Sequence, residues 1–301
     1  MKTTLVALAG TLILTAGCSA GRKAAWEQEQ DTGTKVQAAQ GETPEAHIAA
    51  GDEAWKSRGD QKSLEAAIAA WEKALALKAD DAATWAKLAR AYYFLADAHV
   101  RKQGDKSDAY LATFEKGVAA GERAMAAANA QFKEAVTAGK RVEEAAALLG
   151  DESIEAAYWY ASSLGKWARA KGFATTLGNK DKIRSVMNRI LELDPEGKFF
   201  HAAVHRYFGA FYGVAPGFAG GDMDKSKEYF EKSLALAPGY IGTKVLFADV
   251  YAVKKQDKAL FEKLLDEVMQ APDDVIPGLE PETKNEKEKA AELKTKAAEL
   301  F

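Results

Sequence analysis

Two histidines stand four residues apart at His201 and His205. On a helix that spacing sets both imidazoles on one face, as a zinc site requires. The glutamate that would act as base in a zinc peptidase is replaced by Ala202, and only His47 and His99 remain as further histidines. A third ligand would have to be a carboxylate that no pattern singles out, so neither a metal nor another cofactor is expected. The run GGDMDKS, Gly220–Ser226, approximates a phosphate loop, but Asp224 occupies the place of the glycine before Lys225-Ser226 and sets negative charge against phosphate. A calcium loop fails as well, because Lys227 and Ser233 fill its glycine and glutamate positions. The run reads as a turn followed by an N-cap at Asp222. No nucleophile with an oriented base can be assembled, so no catalytic residue and no enzyme are expected.

The remaining reactive side chain is Cys18, the one cysteine of 301 residues, which rules out a disulfide within the chain. It follows MKTTLVALAGTLILTAG, with Lys2, an apolar run to Leu14 and small residues before the cysteine. That run is shorter than the roughly 20 residues needed to span a bilayer and has the layout of an export signal. Thr15-Ala16-Gly17 before Cys18 resembles a bacterial lipobox, with Thr15 where leucine is more usual. The expectation is a lipoprotein signal peptide over 1–17, with Cys18 lipidated. Ser19 in the next position directs the anchor to the periplasmic side of the outer membrane rather than the inner one under the enteric sorting rule. Residues 18–43 are small and polar and read as a flexible tether spanning roughly 25–30 Å on average. The net charge is −3. With no basic patch, nucleic acid is not an expected partner.

The elements behind these residues are helical. Strand signals are nearly missing, and apolar residues recur at helical spacing, as in Leu64, Ala67, Ile68, Trp71, Ala74 and Leu75. Thr43-Pro44-Glu45 predicts a helix start with Thr43 as cap, and Thr283 with Glu286 has capping-box spacing. Trp85, Leu88, Ala89 and Tyr92 fit the first helix of a tetratricopeptide unit, with alanine in place of the usual glycine. Pro238 and Pro272 lie one 34-residue period apart, and Pro195 and Pro238 lie 43 apart, which places an insert at VAPGFAGGD. The fold expected over 44–301 is all-α: a tetratricopeptide-like helical repeat array, an α-solenoid, with inserts. KNEKEKAAELKTKAAELF closes it as a capping helix whose Glu/Lys face is solvated.

Several segments resemble one family, the TRAP transporter T-component, from about Ala83 to Phe301. They are LARAYYFLADAH, GERAMAAANAQF, AAYWYASSLGKWA, RILELDP and PGFAGGDMDKSKEYFEKSLALAPGY, in that order. The resemblance implies an accessory lipoprotein of tripartite ATP-independent periplasmic uptake, associating with the solute-binding protein. It also implies a homo-oligomer and a pore in each subunit able to admit an apolar ligand. The alternative is a scaffold or assembly lipoprotein binding protein partners on a concave face. Against it stand the large aromatics between Tyr158 and Phe218.

Those aromatics raise one more question. Phe199–Tyr212 holds eight aromatic or imidazole rings in fourteen residues, more than one neighbouring layer can receive. Such a stripe is either ordinary core or cavity lining, and different faces of one helix can do both. Phe200, Val204, Tyr207, Phe208 and Phe211 share a broad face assigned to the core. Phe199, His201, His205 and Tyr212, with Trp159 and Trp167 opposite, are the candidate ligand-cavity residues. Lys166, Arg169 and Arg206 lie interleaved and could meet a carboxylate.

Overall fold

The computed structural model of the protein describes residues 22–27 and 42–301. The expected signal segment 1–17 and Cys18 lie outside them. Every regular element among the described residues is helical, and no described helix is long and apolar enough to cross a membrane.

The helices come in neighbouring pairs joined by short connections. They are α1 (Pro44–Lys56) with α2 (Gln61–Leu77), and α3 (Ala82–Phe94) with α4 (Asp108–Ala128). Short helices α5 (Ala130–Thr137) and α6 (Val142–Ala145) lead to α7 (Ile154–Lys171), which packs on α8 (Phe173–Leu193). Next come α9 (Ala203–Val214) with α10 (Met223–Leu236), then α11 (Gly242–Leu246), α12 (Val253–Lys255) and α13 (Lys258–Gln270). The chain ends in α14 (Glu280–Thr295) and α15 (Ala297–Leu300).

Local chemistry explains where many of these begin. Thr43 Oγ1 accepts the Ala46 N–H at 3.1 Å with Pro44 at the first position, as the sequence predicts. Asp60, Asp81, Ser107, Asn129, Asp222 and Asp257 cap in the same manner. The expected capping box does not form: α14 starts at Glu280-Pro281, upstream of Thr283, and buries Thr283 inside the helix.

Apolar stripes fill two cores. The larger runs from Leu64 to Phe208 across α2–α9; the smaller joins Phe230, Phe247, Phe261, Leu265 and Ala290. The predicted α2 stripe from Leu64 to Leu75 is buried throughout. Gly121 lets α4 and α7 touch backbone to backbone, since a Cβ there would lie 2.8 Å from the Tyr160 Cα.

The charged face of α14 is not simply solvated, contrary to the expectation. Glu282 pairs with Arg58 at 2.6 Å and Arg90 at 3.2 Å, and Lys289 reaches Asp97 at 2.5 Å. The last long helix therefore returns to the first helices, and the succession of pairs closes on itself around a central space. Periodicity sees a polar stripe but not the partner waiting for it.

Candidate functional site

A cavity of about 590 Å³ occupies that central space. Its wall is built from residues three and four apart on successive helices, so each helix gives it one face. On α7 these are Trp159, Ser162, Lys166 and Arg169; on α9, Tyr207, Ala210, Phe211 and Val214; on α14, Glu282, Asn285, Lys289 and Leu293. Two π-helical stretches, Leu95–His99 after α3 and Phe247–Ala252 after α11, each set an aspartate in the lining, Asp97 and Asp249. A π turn re-aims side chains relative to an α-helix, and such turns concentrate at functional sites.

One part of the lining is apolar and reaches the surface. Phe173, Leu177 and Val214 line the cavity yet stay 62%, 40% and 47% exposed, which marks a mouth. Tyr207, Phe211 and Ile183 continue that wall inward.

The deep part is charged. Asp97 accepts from Lys166 Nζ at 2.9 Å, Lys289 Nζ at 2.5 Å and Asn285 Nδ2 at 3.1 Å. Burial opposes its ionisation, but the two ammonium groups outweigh burial and hold the carboxyl well below the usual carboxylate range. Burial likewise disfavours the charged forms of Lys166 and Lys289, and Asp97 reverses the direction, so both are raised. Lys166 lies deep in the fold yet its side chain is 35% accessible, because it borders the cavity. Beside this cluster the Arg90 guanidinium sits among Trp55, Trp159 and Phe200, 4.9 Å from the Phe200 ring centre.

Arg206 is 4% exposed and has no carboxylate in salt-bridge range among the described residues. It lies over Tyr240, 4.1 Å from the ring centre, and donates to the carbonyl oxygens of His201 at 2.9 Å and Phe200 at 3.4 Å. Seven cationic residues line the cavity against five acidic ones, so its charge leans positive. His201 registers that lean: burial first, then Arg206 and Arg90, push its pKa down. Two lining residues also keep buried polar atoms without hydrogen-bond partners among the described residues, Trp159 Nε1 and Asn285 Oδ1.

Of the six cavity residues expected from sequence, Trp159 lines this cavity and the other five lie elsewhere. Phe199 packs on Tyr158, with ring centres 5.4 Å apart. His205 is fully buried, bonds the Pro195 carbonyl at 3.1 Å and stacks on Tyr229. Tyr212, two turns further along the same face of α9, also stacks on Tyr229, and His201 stacks on Tyr240. Trp167 is buried with Lys171 over its ring. Conversely Phe200, Tyr207 and Phe211, assigned to the core, border the cavity, while Val204 and Phe208 are core.

The cause is a break in the helix. Phe200, His201 and Ala202 all have left-handed backbone, with φ of 40°, 57° and 56°, and α9 begins only at Ala203. A wheel drawn continuously from Phe199 is therefore out of phase, and His201 and His205 do not share a face. The turn is stabilised by Asp194, whose carboxylate accepts the N–H groups of Lys198 and Phe199, each at 2.8 Å. Arg206 satisfies its carbonyls.

Sequence reasoning missed Arg90, Asp97, Glu282, Asn285 and Lys289. The available signals were an acid inside the apolar run LARAYYFLADAHV and the one-face spacing of Glu282, Asn285 and Lys289. Among the described residues no group of three or more His, Cys, Asp or Glu side chains could hold a metal ion.

A family model described as TRAP transporter T-component matches residues 102–301. No curated protein matches the chain.

Proposed function

The chain belongs to the TRAP transporter T-component family, and from that premise we propose that it is a periplasmic lipoprotein assisting a TRAP solute-uptake system. The family is one of transport accessories, not enzymes. In this reading the helix pairs are tetratricopeptide-like units, Cys18 carries the lipid at the outer membrane, and the partner is the solute-binding protein of the same transporter. Homo-oligomeric association of such subunits belongs to the same reading. The observation that carries the functional reading is the cavity: an apolar mouth at Phe173, Leu177 and Val214 leads to a cation-rich interior with Arg206 lacking a carboxylate. An apolar or organic-acid ligand suits that gradient: the apolar mouth receives hydrocarbon, and an anionic group would give Arg206 the carboxylate partner that it lacks among the described residues.

The test uses the unlipidated protein, its own solute-binding protein and the fluorescent anion 8-anilinonaphthalene-1-sulfonate. The two proteins should co-elute on size exclusion. The probe should bind the wild type and bind at least tenfold more weakly to Phe211→Ser, with circular dichroism unchanged; tenfold corresponds to about 1.4 kcal/mol. Independent elution would sink the partner, and equal probe binding would sink the cavity. Outer-membrane scaffolding would instead appear as peptide binding that Phe211→Ser leaves intact.

A further inference from the structure

Glu122 is a buried acid on α4, 3% exposed. Every hydrogen-bond and ion-pair partner of its carboxylate among the described residues comes from one short segment near the N-terminus. Arg22 Nη1 donates at 2.9 Å and Nη2 lies at 2.5 Å, while the Ala25 N–H donates at 2.8 Å. The segment is shaped to fit: the Glu27 N–H closes a turn onto the Ala24 carbonyl at 3.0 Å, and Ala25 is 5% exposed. Trp26 sets its ring edge-on to Phe132 of α5, 5.7 Å between centres, and leans on Tyr160 of α7 at 6.5 Å. Three helices thus form a receptor for six residues that sequence composition places in a polar tether.

We propose that Arg22–Glu27 is a strap that holds the α4–α5 face of the helical body against a lipid bilayer. The docking of the strap stands on the contacts above; the bilayer as the surface it faces rests on the lipid anchor proposed for Cys18. Four residue steps separate Cys18 from Arg22, and a fully extended chain covers at most about 14 Å in that length. A free tether ending at Thr43 would let the body tumble at about twice that height on average. With the strap seated, the lipid-bearing residue stays within reach of Glu122 and Phe132, so one face is turned to the membrane. A buried carboxylate whose partners lie outside the body has little reason to persist unless the strap is seated. Tyr160 belongs to α7, the helix that gives Trp159 and Lys166 to the cavity, so the strap braces a cavity wall from outside.

The experiment uses the full lipidated chain in vesicles of phosphatidylethanolamine and phosphatidylglycerol containing a rhodamine lipid. A donor dye is placed on a cysteine introduced at exposed Lys133 beside Phe132, or at exposed Asp274 on the loop before α14. Energy transfer should be strong from position 133 and weak from 274, and Trp26→Ala or Glu122→Gln should bring the two together. Equal transfer from both positions in the unaltered strap would overturn the bilayer-facing orientation. A second arm uses the full chain with Cys18→Ser, in solution. Trypsin should cut after Arg22 and Lys23 at least about tenfold more slowly than in the same chain carrying Trp26→Ala, because cleavage follows the population of the undocked segment. Trp26→Ala alters the strap alone and leaves the body intact. Equal cutting rates would overturn the strap itself. If the lipidated chain fails to float with the vesicles while trypsin protection holds, the anchor at Cys18 fails and the strap survives without its membrane role.

Discussion

Replacing Asp97 by asparagine keeps the shape of the side chain and removes the charge at the centre of the deep cluster. In the native protein the carboxylate takes two ammonium donors, at 2.9 Å and 2.5 Å, and the Asn285 amide at 3.1 Å. Removing one partner of a buried pair costs about 3–5 kcal/mol. Two features reduce that here. Lys166 is 35% accessible, so water in the cavity hydrates its ammonium, and Lys289 retains Glu286 at 2.8 Å. The expected loss is about 2–3 kcal/mol. At roughly 2–4 °C per kcal/mol for a domain of this size, the midpoint should fall by about 4–12 °C. Urea and thermal unfolding of the unlipidated protein measure the two quantities, and the double variant Asp97→Asn/Lys166→Met should recover part of the loss by removing one stranded cation. The pH dependence carries a sign. The carboxyl is held below its unfolded value, so its stabilisation is complete above about pH 4 and is lost as pH falls further. The difference between wild type and Asp97→Asn should therefore be flat from pH 5 to 8 and shrink below pH 4. A variant as stable as wild type at pH 7 would show that desolvation cancels the pairing, and the account of the cluster as a clasp would be wrong.

Glu122 should give the opposite pH trend: burial lifts it to about 7 against the pull of Arg22, with Lys182 a minor contributor. Because the folded value lies above the unfolded one, stability should fall by up to about 3 kcal/mol as pH rises from 4 to 8, and Glu122→Gln should abolish that part of the slope. Phe208→Ala should cost about 3–5 kcal/mol, and Phe211→Ala only about 1–2, since one side of the Phe211 ring already borders the cavity; equal losses in denaturant titrations would mean a filled interior. Gly209→Ala should destabilise by about 1–3 kcal/mol despite alanine's better helix propensity, because the new Cβ would lie 2.7 Å from the fully buried Phe230 ring; a higher midpoint would show that α9 and α10 can part. A strong chelator should leave the thermal midpoint unchanged, and a fall reversed by zinc would restore His201 and His205 as ligands.

The amphipathic stripes and several caps were legible because they are local: Leu64–Leu75 and Thr43 need nothing beyond their own helix. The cavity was legible only as an excess of rings. Its residues were misplaced because Phe200–Ala202 take left-handed backbone although none is glycine, a choice imposed by Asp194 and Arg206 from either side. Nothing in the one-dimensional pattern announces that turn. The acid at Asp97 and the polar stripe of α14 were both visible in the sequence, but their meeting joins positions 192 residues apart. Pairings of that range cannot be read from one chain by periodicity. For the same reason Arg22 looked like tether, since the acid it meets is 100 residues away.

The return of α14 to the first helices has a kinetic consequence. Contacts within and between adjacent helix pairs span short stretches of chain and can form early, whereas Arg58–Glu282 closes a loop across 224 residues. The entropy of closing a flexible loop grows only as about 1.5 RT times the logarithm of its length. The cost of that closure is then met late, when most of the chain is already ordered and the two ends have been carried toward each other. An open stack of repeats can fray one unit at a time from its termini. A closed circuit cannot lose its last unit without also unlatching its first, so the ends should show hydrogen-exchange protection comparable to the middle. A chain in which Glu280–Thr295 has not yet docked would have the preceding pairs but no latch, and the ring closes only when that helix reaches Arg58 and Arg90.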